Sequence, residues 1–110
     1  MSGEPITPDG VLAAIALWRE KLEITQPVST EAISPCQVVD ECGRVGAELV
    51  GVVFDHAQAT IYHTRPLTLE DIVHELLHVA HPAWTEQAVV TETAALIEGG
   101  EGAHVSRLAA

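Results

Sequence analysis

The sequence predicts a small α+β domain, and three observations support this fold class. Apolar residues make up 47% of the 110-residue chain, which is typical of a globular protein with one core. Apolar side chains recur at helical spacing near both ends of the chain. Runs rich in β-branched residues, bounded by turn residues, lie between them. We therefore expect an N-terminal helix, a small antiparallel three-stranded meander and two further helices, all within a single domain over 1–110.

The first helix is predicted over residues 8–23. Thr7 followed by Pro8 resembles an N-cap with proline at the first helical position. The apolar residues that then recur every three or four positions are Val11, Leu12, Ile15, Trp18 and Leu22. Residues 24–35 are rich in Pro, Ser and Thr, and this composition predicts a connecting loop.

The meander is predicted over residues 36–64. Three runs of β-type residues supply its strands, at 36–41, 48–54 and 59–64. The four residues 55–58 between the second and third runs have the composition of a hairpin loop. We expect the 59–64 strand to leave one edge of the sheet exposed.

A second helix is predicted over residues 69–81. Thr68 and Asp71 resemble a capping box, which marks the start of a helix. Pro82 ends the helix, because proline removes a backbone donor and clashes with the preceding turn.

A third helix is predicted over residues 85–97, with Thr85 as its N-cap. Gly99 and Gly100 end it, and residues 99–110 are expected to form a flexible tail. The connection around Pro82 is short, so the last two helices must pack as antiparallel neighbours.

Residues 74–78 read His-Glu-Leu-Leu-His. His74 and His78 lie one turn apart on one helix face, where both imidazoles can bind a single metal ion. Glu75 lies about 100° round the helix, where it can reach a water on the metal without binding the metal itself. On a helical wheel both histidines lie opposite the apolar stripe, so they are not core residues. The motif therefore predicts a zinc site.

A catalytic zinc ion usually takes a third protein ligand. Glu86 starts the third helix beside the end of the second and is predicted to point into the apolar interface, where an unpaired carboxylate is costly. Glu92 is the alternative ligand, nearly 90° away from the inward face. His81 shares the histidine stripe, but three ligands along one straight helix would span roughly 10 Å. Glu86 is therefore the favoured third ligand, and Glu92 remains open.

Two further residues are candidates for assisting the site. Asp71, one turn before His74, can accept a hydrogen bond from that ring or can serve only as a helix cap. His63, at the end of the last strand, can stabilise an oxyanion across the cleft or can be an ordinary strand-end histidine.

With this motif the sequence resembles the zincins, and among them the minimal gluzincin-type zinc metallopeptidase domains. The stretch 74–89 is also similar to short phage- and bacteria-encoded metallopeptidases, in which HExxH is followed by a proline turn and a Ser/Thr-Glu-x-x-Val helix start. The resemblance covers residues 59–97 well, and the first half of the chain corresponds only in element order. The roles that it implies are zinc ligands at His74, His78 and Glu86 and a catalytic base at Glu75.

The expected function is zinc-dependent hydrolysis of peptide bonds, with Glu75 as the general base. The expected substrate is a peptide or protein that pairs with the exposed edge of the 59–64 strand. The alternative is a non-catalytic zinc-stabilised structural or adaptor module, such as a phage-type protein, with His81, His63 or Glu92 as a fourth ligand. A metal-free helical hairpin that binds a partner is the third possibility.

Charge and hydropathy exclude other classes of function. The net charge is −11 and the five basic residues are scattered, so we expect no nucleic-acid partner. No apolar run approaches the roughly 18 residues that cross a bilayer, and no segment resembles a signal peptide. Cys36 and Cys42 do not form a CxxC pair and are expected to be reduced thiols. We therefore expect a cytoplasmic protein with no membrane partner.

Overall fold

A computed structural model describes residues 4–39, 43, 45–46 and 48–98. Within these ranges the chain combines three α-helices with a three-stranded sheet, which is the mixed α and β content that the sequence predicts. The elements, in chain order, are α1 (Pro8–Lys21), β1 (Val28–Ala32), a short 3-10 helix (Pro35–Gln37), β2 (Val50–Phe54), β3 (Ala59–His63), α2 (Leu69–Ala80) and α3 (Glu86–Glu98).

The sheet differs from the predicted antiparallel meander. Its strand order is β1-β3-β2, in which β2 pairs antiparallel and β1 pairs parallel with β3. The strand predicted at 36–41 is wrong, because this region begins with the 3-10 helix and Val39 forms only an isolated bridge to Val45. Residues 40–42 lie outside the described part of the chain. The loop predicted at 24–35 instead contains β1.

The hairpin of β2 and β3 lies where the sequence places its second and third strands. Its loop is closed by a backbone hydrogen bond of 2.9 Å from the Asp55 nitrogen to the Gln58 carbonyl oxygen. Asp55 Oδ1 also accepts hydrogen bonds from the backbone nitrogens of Ala57 and Gln58, and these bonds lower the pKa of the Asp55 carboxyl. Because β3 lies between two strands, neither of its edges is free, and the prediction of an exposed edge at 59–64 is wrong.

Helices α1 and α2 pack on the sheet, α3 packs on α2, and the core forms two clusters. The first joins α1, α2 and the inward side chains of the sheet, with Ile61 and Ile72 at its centre. The second lies between α2 and α3 and contains Val73, Leu77 and Val89. Helix α2 is thus apolar on the faces that meet the sheet and α3, and its remaining face is left for polar residues.

The predictions for the C-terminal tail, the two cysteines and a membrane span have different outcomes. The tail predicted at 99–110 lies outside the described residues, as does Cys42, whereas Cys36 is exposed and free of a disulfide. Among the helices in the described ranges, none has both the length and the hydropathy to span a bilayer.

Candidate metal centre

Hydrogen bonds among Arg65, Thr68 and Asp71 stabilise the start of α2. Thr68 Oγ1 accepts from the Asp71 nitrogen at 3.1 Å, and Asp71 Oδ2 accepts from the Thr68 nitrogen at 2.9 Å, which is the predicted capping box. Arg65 donates to both Asp71 oxygens, at 2.7 and 2.9 Å. Burial raises the pKa of Asp71, but the bonds from Arg65 and Thr68 outweigh it, and the pKa lies below its ordinary value. Asp71 therefore caps the helix and pairs with Arg65, and within the described residues it makes no hydrogen bond to His74.

His74 and His78 project from the polar face of α2 and meet Glu86 of α3. The distance from His74 Nε2 to Glu86 Oε2 is 3.0 Å, and from His78 Nε2 to Glu86 Oε1 it is 2.9 Å. One ligand atom from each residue lies within 4.8 Å of the other two. A tetrahedral zinc ion with bonds of about 2.0–2.1 Å holds its ligand atoms about 3.3 Å apart. The three side chains are therefore close enough together that they could hold one metal ion.

The α2–α3 turn places Glu86 in this group. Thr85 Oγ1 accepts from the Ala88 nitrogen at 3.1 Å, so Thr85 caps α3 as predicted. The Glu86 side chain is 67% exposed, however. The prediction that it points into the apolar interface is therefore wrong. The reason is that Glu86 precedes Val89, the first core residue of α3, and reaches the histidines from the solvent side.

The other candidate ligands lie elsewhere. Glu92 is the buried glutamate of α3, at 9% exposure, and it is not part of the group formed by His74, His78 and Glu86. The ring of His81 stacks on Trp84 instead of turning toward the group, with 3.9 Å between ring centroids and 6° between planes.

His63 is not brought to this group. Its Nδ1 lies 2.9 Å from the carbonyl oxygen of Arg65, and its ring lines a separate cavity of about 680 Å³ together with Thr30 and Leu67. The role of oxyanion stabiliser that the sequence suggests for His63 therefore has no geometric support. The alternative, an ordinary strand-end histidine, agrees with this position.

Glu75 lies beside the group of His74, His78 and Glu86 but is buried, with 7% of its surface exposed. It lines a cleft of about 300 Å³ together with Val52, Phe54, His78 and Pro82. Burial, and then the charges of Glu86 and Asp71, raise the pKa of the Glu75 carboxyl from 4.5 to about 7. Glu75 is thus a carboxyl that changes protonation state near neutral pH, at the edge of a cleft.

The described site joins two imidazole nitrogens, an exposed carboxylate and a second, buried carboxyl within one helix hairpin. Comparison of the chain with protein-family models, with curated proteins and with solved structures finds no match. Imidazole and carboxylate groups are ligands that zinc takes in proteins. A carboxyl with a pKa near neutrality can accept a proton and return it.

The sequence does not indicate that three further residues line the cleft beside Glu75: Val52, Phe54 and Pro82. Their residue types are ordinary for a strand and a helix end, so no local signal marks them. They become recognisable only when the strand order is known, because that order makes β2 the strand that packs beside α2.

Proposed function

We propose that the protein is a zinc-dependent metallopeptidase with His74, His78 and Glu86 as metal ligands and Glu75 as general base. The observation that carries the proposal is the convergence of two histidine nitrogens and a carboxylate, with a buried carboxyl beside them in a cleft. Three protein ligands leave a coordination position open, which is the feature that separates catalytic from structural zinc sites.

The donor set favours zinc over the hard cations. Calcium and magnesium take oxygen ligands, whereas two imidazoles and one carboxylate are the ligands of a common type of catalytic zinc site. When bound, zinc supplies a lowered pKa for water and polarisation of the scissile carbonyl group.

Glu75 performs the proton transfers in the proposed reaction. A carboxylate oxygen of Glu75 accepts a proton from the attacking water, and the carboxyl then returns this proton to the nitrogen of the leaving amine. Its position in the cleft next to His78 supports this role, because the base must lie beside the metal ligands and be open to the substrate.

The proposed substrate is a peptide segment in extended conformation that adds to the edge of β2. This corrects the edge expected at 59–64, because β3 is paired on both sides whereas β2 is an edge strand of the described sheet. Val52 and Phe54 of β2 line the cleft that holds Glu75. A peptide paired with β2 would therefore run along the catalytic groups.

A closed structural zinc site is less well supported. It needs a fourth protein ligand, and within the described residues the three candidates lie elsewhere: His81 stacks on Trp84, His63 lines another cavity and Glu92 is outside the ligand group. The cytoplasmic location and the lack of a nucleic-acid partner remain predictions from the sequence.

The test is zinc content and peptide hydrolysis on protein purified without chelator. Elemental analysis should give one zinc per chain for the wild type and for the control His56→Ala, whose histidine lies in the exposed hairpin loop. His74→Ala and Glu86→Ala should lose most of the bound zinc. The zinc-loaded wild type should cleave an unfolded protein substrate. Absence of zinc from the wild type would overturn the proposal, and one zinc per chain without hydrolysis would favour the structural alternative.

A further inference from the structure

Glu86, the third ligand of the proposed metal centre, is less firmly packed than the ligands His74 and His78. His74 and His78 belong to a helix that is buried on two sides, whereas Glu86 is the first residue of α3 and has a largely exposed side chain. No packed core surrounds the Glu86 side chain. The position of its carboxylate therefore depends on the path of the turn at 81–85.

This turn is held by a stacked aromatic pair. The rings of His81 and Trp84 are nearly parallel, at 6°, with their centroids 3.9 Å apart. The same two residues are joined by a backbone hydrogen bond of 3.0 Å from the Trp84 nitrogen to the His81 carbonyl oxygen. The His81 nitrogen in turn donates to the Leu77 carbonyl oxygen at 2.8 Å, which ties this pair to the last turn of α2.

The pair lies between the ligands of the two helices. His81 follows the ligand His78 by less than one helical turn, and Trp84 comes two residues before the ligand Glu86. The stack thus lies within the connection between the end of α2 and the start of α3. Neither ring belongs to the ligand group, and Trp84 keeps 38% of its surface exposed, so core packing alone does not account for its position.

We propose that His81 and Trp84 are positioning residues of the metal centre, whose stack holds the 81–85 turn in the conformation that places Glu86 across His74 and His78. The proposal rests on the metal site proposed above. Without the stack the turn samples other paths, and zinc must order the turn when it binds. Loss of the stack therefore weakens zinc binding through Glu86, although neither ring touches the metal.

The experiment compares zinc dissociation constants, measured by competition with a chromophoric chelator. Trp84→Ala should weaken zinc binding about tenfold, as is usual when a residue that orients a metal ligand is removed. Trp84→Phe, which keeps a flat ring, should retain most of the affinity. Val90→Ala is the matched control, because Val90 is an exposed apolar residue of α3 outside the turn, and it should leave the affinity unchanged.

The decisive measurement repeats Trp84→Ala in a Glu86→Ala background. If the stack acts through Glu86, its removal has no further effect on zinc affinity once Glu86 is gone. Equal weakening in both backgrounds would show a general structural role and overturn the inference. Wild-type affinity in both Trp84→Ala and His81→Ala would also overturn it. If Glu86→Ala alone leaves the affinity unchanged, the proposed ligand set fails first, and that outcome is distinct from failure of the stack.

Discussion

Two groups of polar and ionisable side chains, at and beside helix α2, contain carboxyls whose pKa values shift in opposite directions. The group at its N-terminus, here the capping cluster, consists of Arg65, Thr68 and Asp71. The group along its second half and the start of α3, here the histidine–glutamate group, consists of His74, Glu75, His78 and Glu86.

The two groups differ in how neighbouring charges match their carboxyls, of which Asp71 is partly buried and Glu75 is buried. Asp71 receives hydrogen bonds from Arg65 and from the Thr68 nitrogen, and its pKa is lowered. Glu75 is buried next to the like charges of Glu86 and Asp71, and its pKa rises to about 7. A matched carboxyl stabilises the fold, whereas an unmatched one opposes folding at neutral pH and supplies a proton acceptor. The comparison separates a structural use of charge from a proposed chemical use on one helix.

The largest expected effect is on catalysis, from Glu75→Gln. This change removes the proposed base without removing a metal ligand, so kcat/KM for peptide hydrolysis should fall about 100- to 10,000-fold while zinc content stays at one per chain. Glu70→Gln, on the exposed side of the same helix, is the control and should keep full activity. Wild-type activity in Glu75→Gln would place the base elsewhere.

The second prediction concerns the pH dependence of stability in the metal-free protein. The folded-state pKa of Glu75, about 7, lies above the ordinary 4.5, so the folded state binds more protons between these values. Its contribution to the free energy of unfolding should therefore decrease as pH rises from about 4.5 to 7, by at most about 3 kcal/mol. Urea unfolding at several pH values, with chelator present, should show this loss in the wild type.

The matched variant for this experiment is Glu75→Gln, which leaves the neighbouring His74 and His78 unchanged. The difference in unfolding free energy between variant and wild type should grow in favour of the variant as pH rises. Parallel curves for the two proteins would mean that Glu75 titrates as an ordinary exposed carboxyl, and the contrast with the capping cluster would disappear.

The smallest expected effect is on stability, from Asp71→Asn in the capping cluster. It removes the ion pair with Arg65 and weakens the helix cap, and should cost about 1–2 kcal/mol at neutral pH, because Arg65 is 40% exposed and its charge is screened. The folded pKa of Asp71 is lowered, so this contribution is present above the unfolded value near 4 and is lost as pH falls through the folded value.

The measurement for the capping cluster is urea unfolding at neutral pH and near pH 2. Wild type and Asp71→Asn should differ at neutral pH and converge in acid, with zinc affinity at neutral pH nearly the same in both. An equal difference at both pH values would mean that the cost comes from packing and not from the charge.

Local sequence signals predict the residues that come together in the proposed metal centre, because these signals act within one helix or one turn. The capping box of Thr68 and Asp71 marks the start of α2, and the four-residue spacing of His74 and His78 puts both on one face. The exposure of Glu86 was not predictable in this way, since a helical wheel gives directions around α3 but not where the turn starts that helix.

The strand order depends on long-range pairing, which no local pattern carries. The five residues of β1, Val-Ser-Thr-Glu-Ala, are mostly exposed at a sheet edge, so they lack the apolar alternation by which a strand is recognised. The error over β1 also produced the wrong free edge. With β1 beside β3, the edge strand of the described sheet that packs next to α2 is β2.

The parallel pairing of β1 with β3 has a consequence for the order of folding. The hairpin of β2 and β3 closes over a four-residue loop, whereas β1 can pair only after the long chain between Ala32 and Ala59 has been closed. Closing a longer loop has a larger entropy cost, so we expect the hairpin to form first and β1 to dock late. All residues of the proposed metal centre follow β1 in the chain, so the centre can assemble on the early-folding part, and substitutions in β1 should mainly speed unfolding.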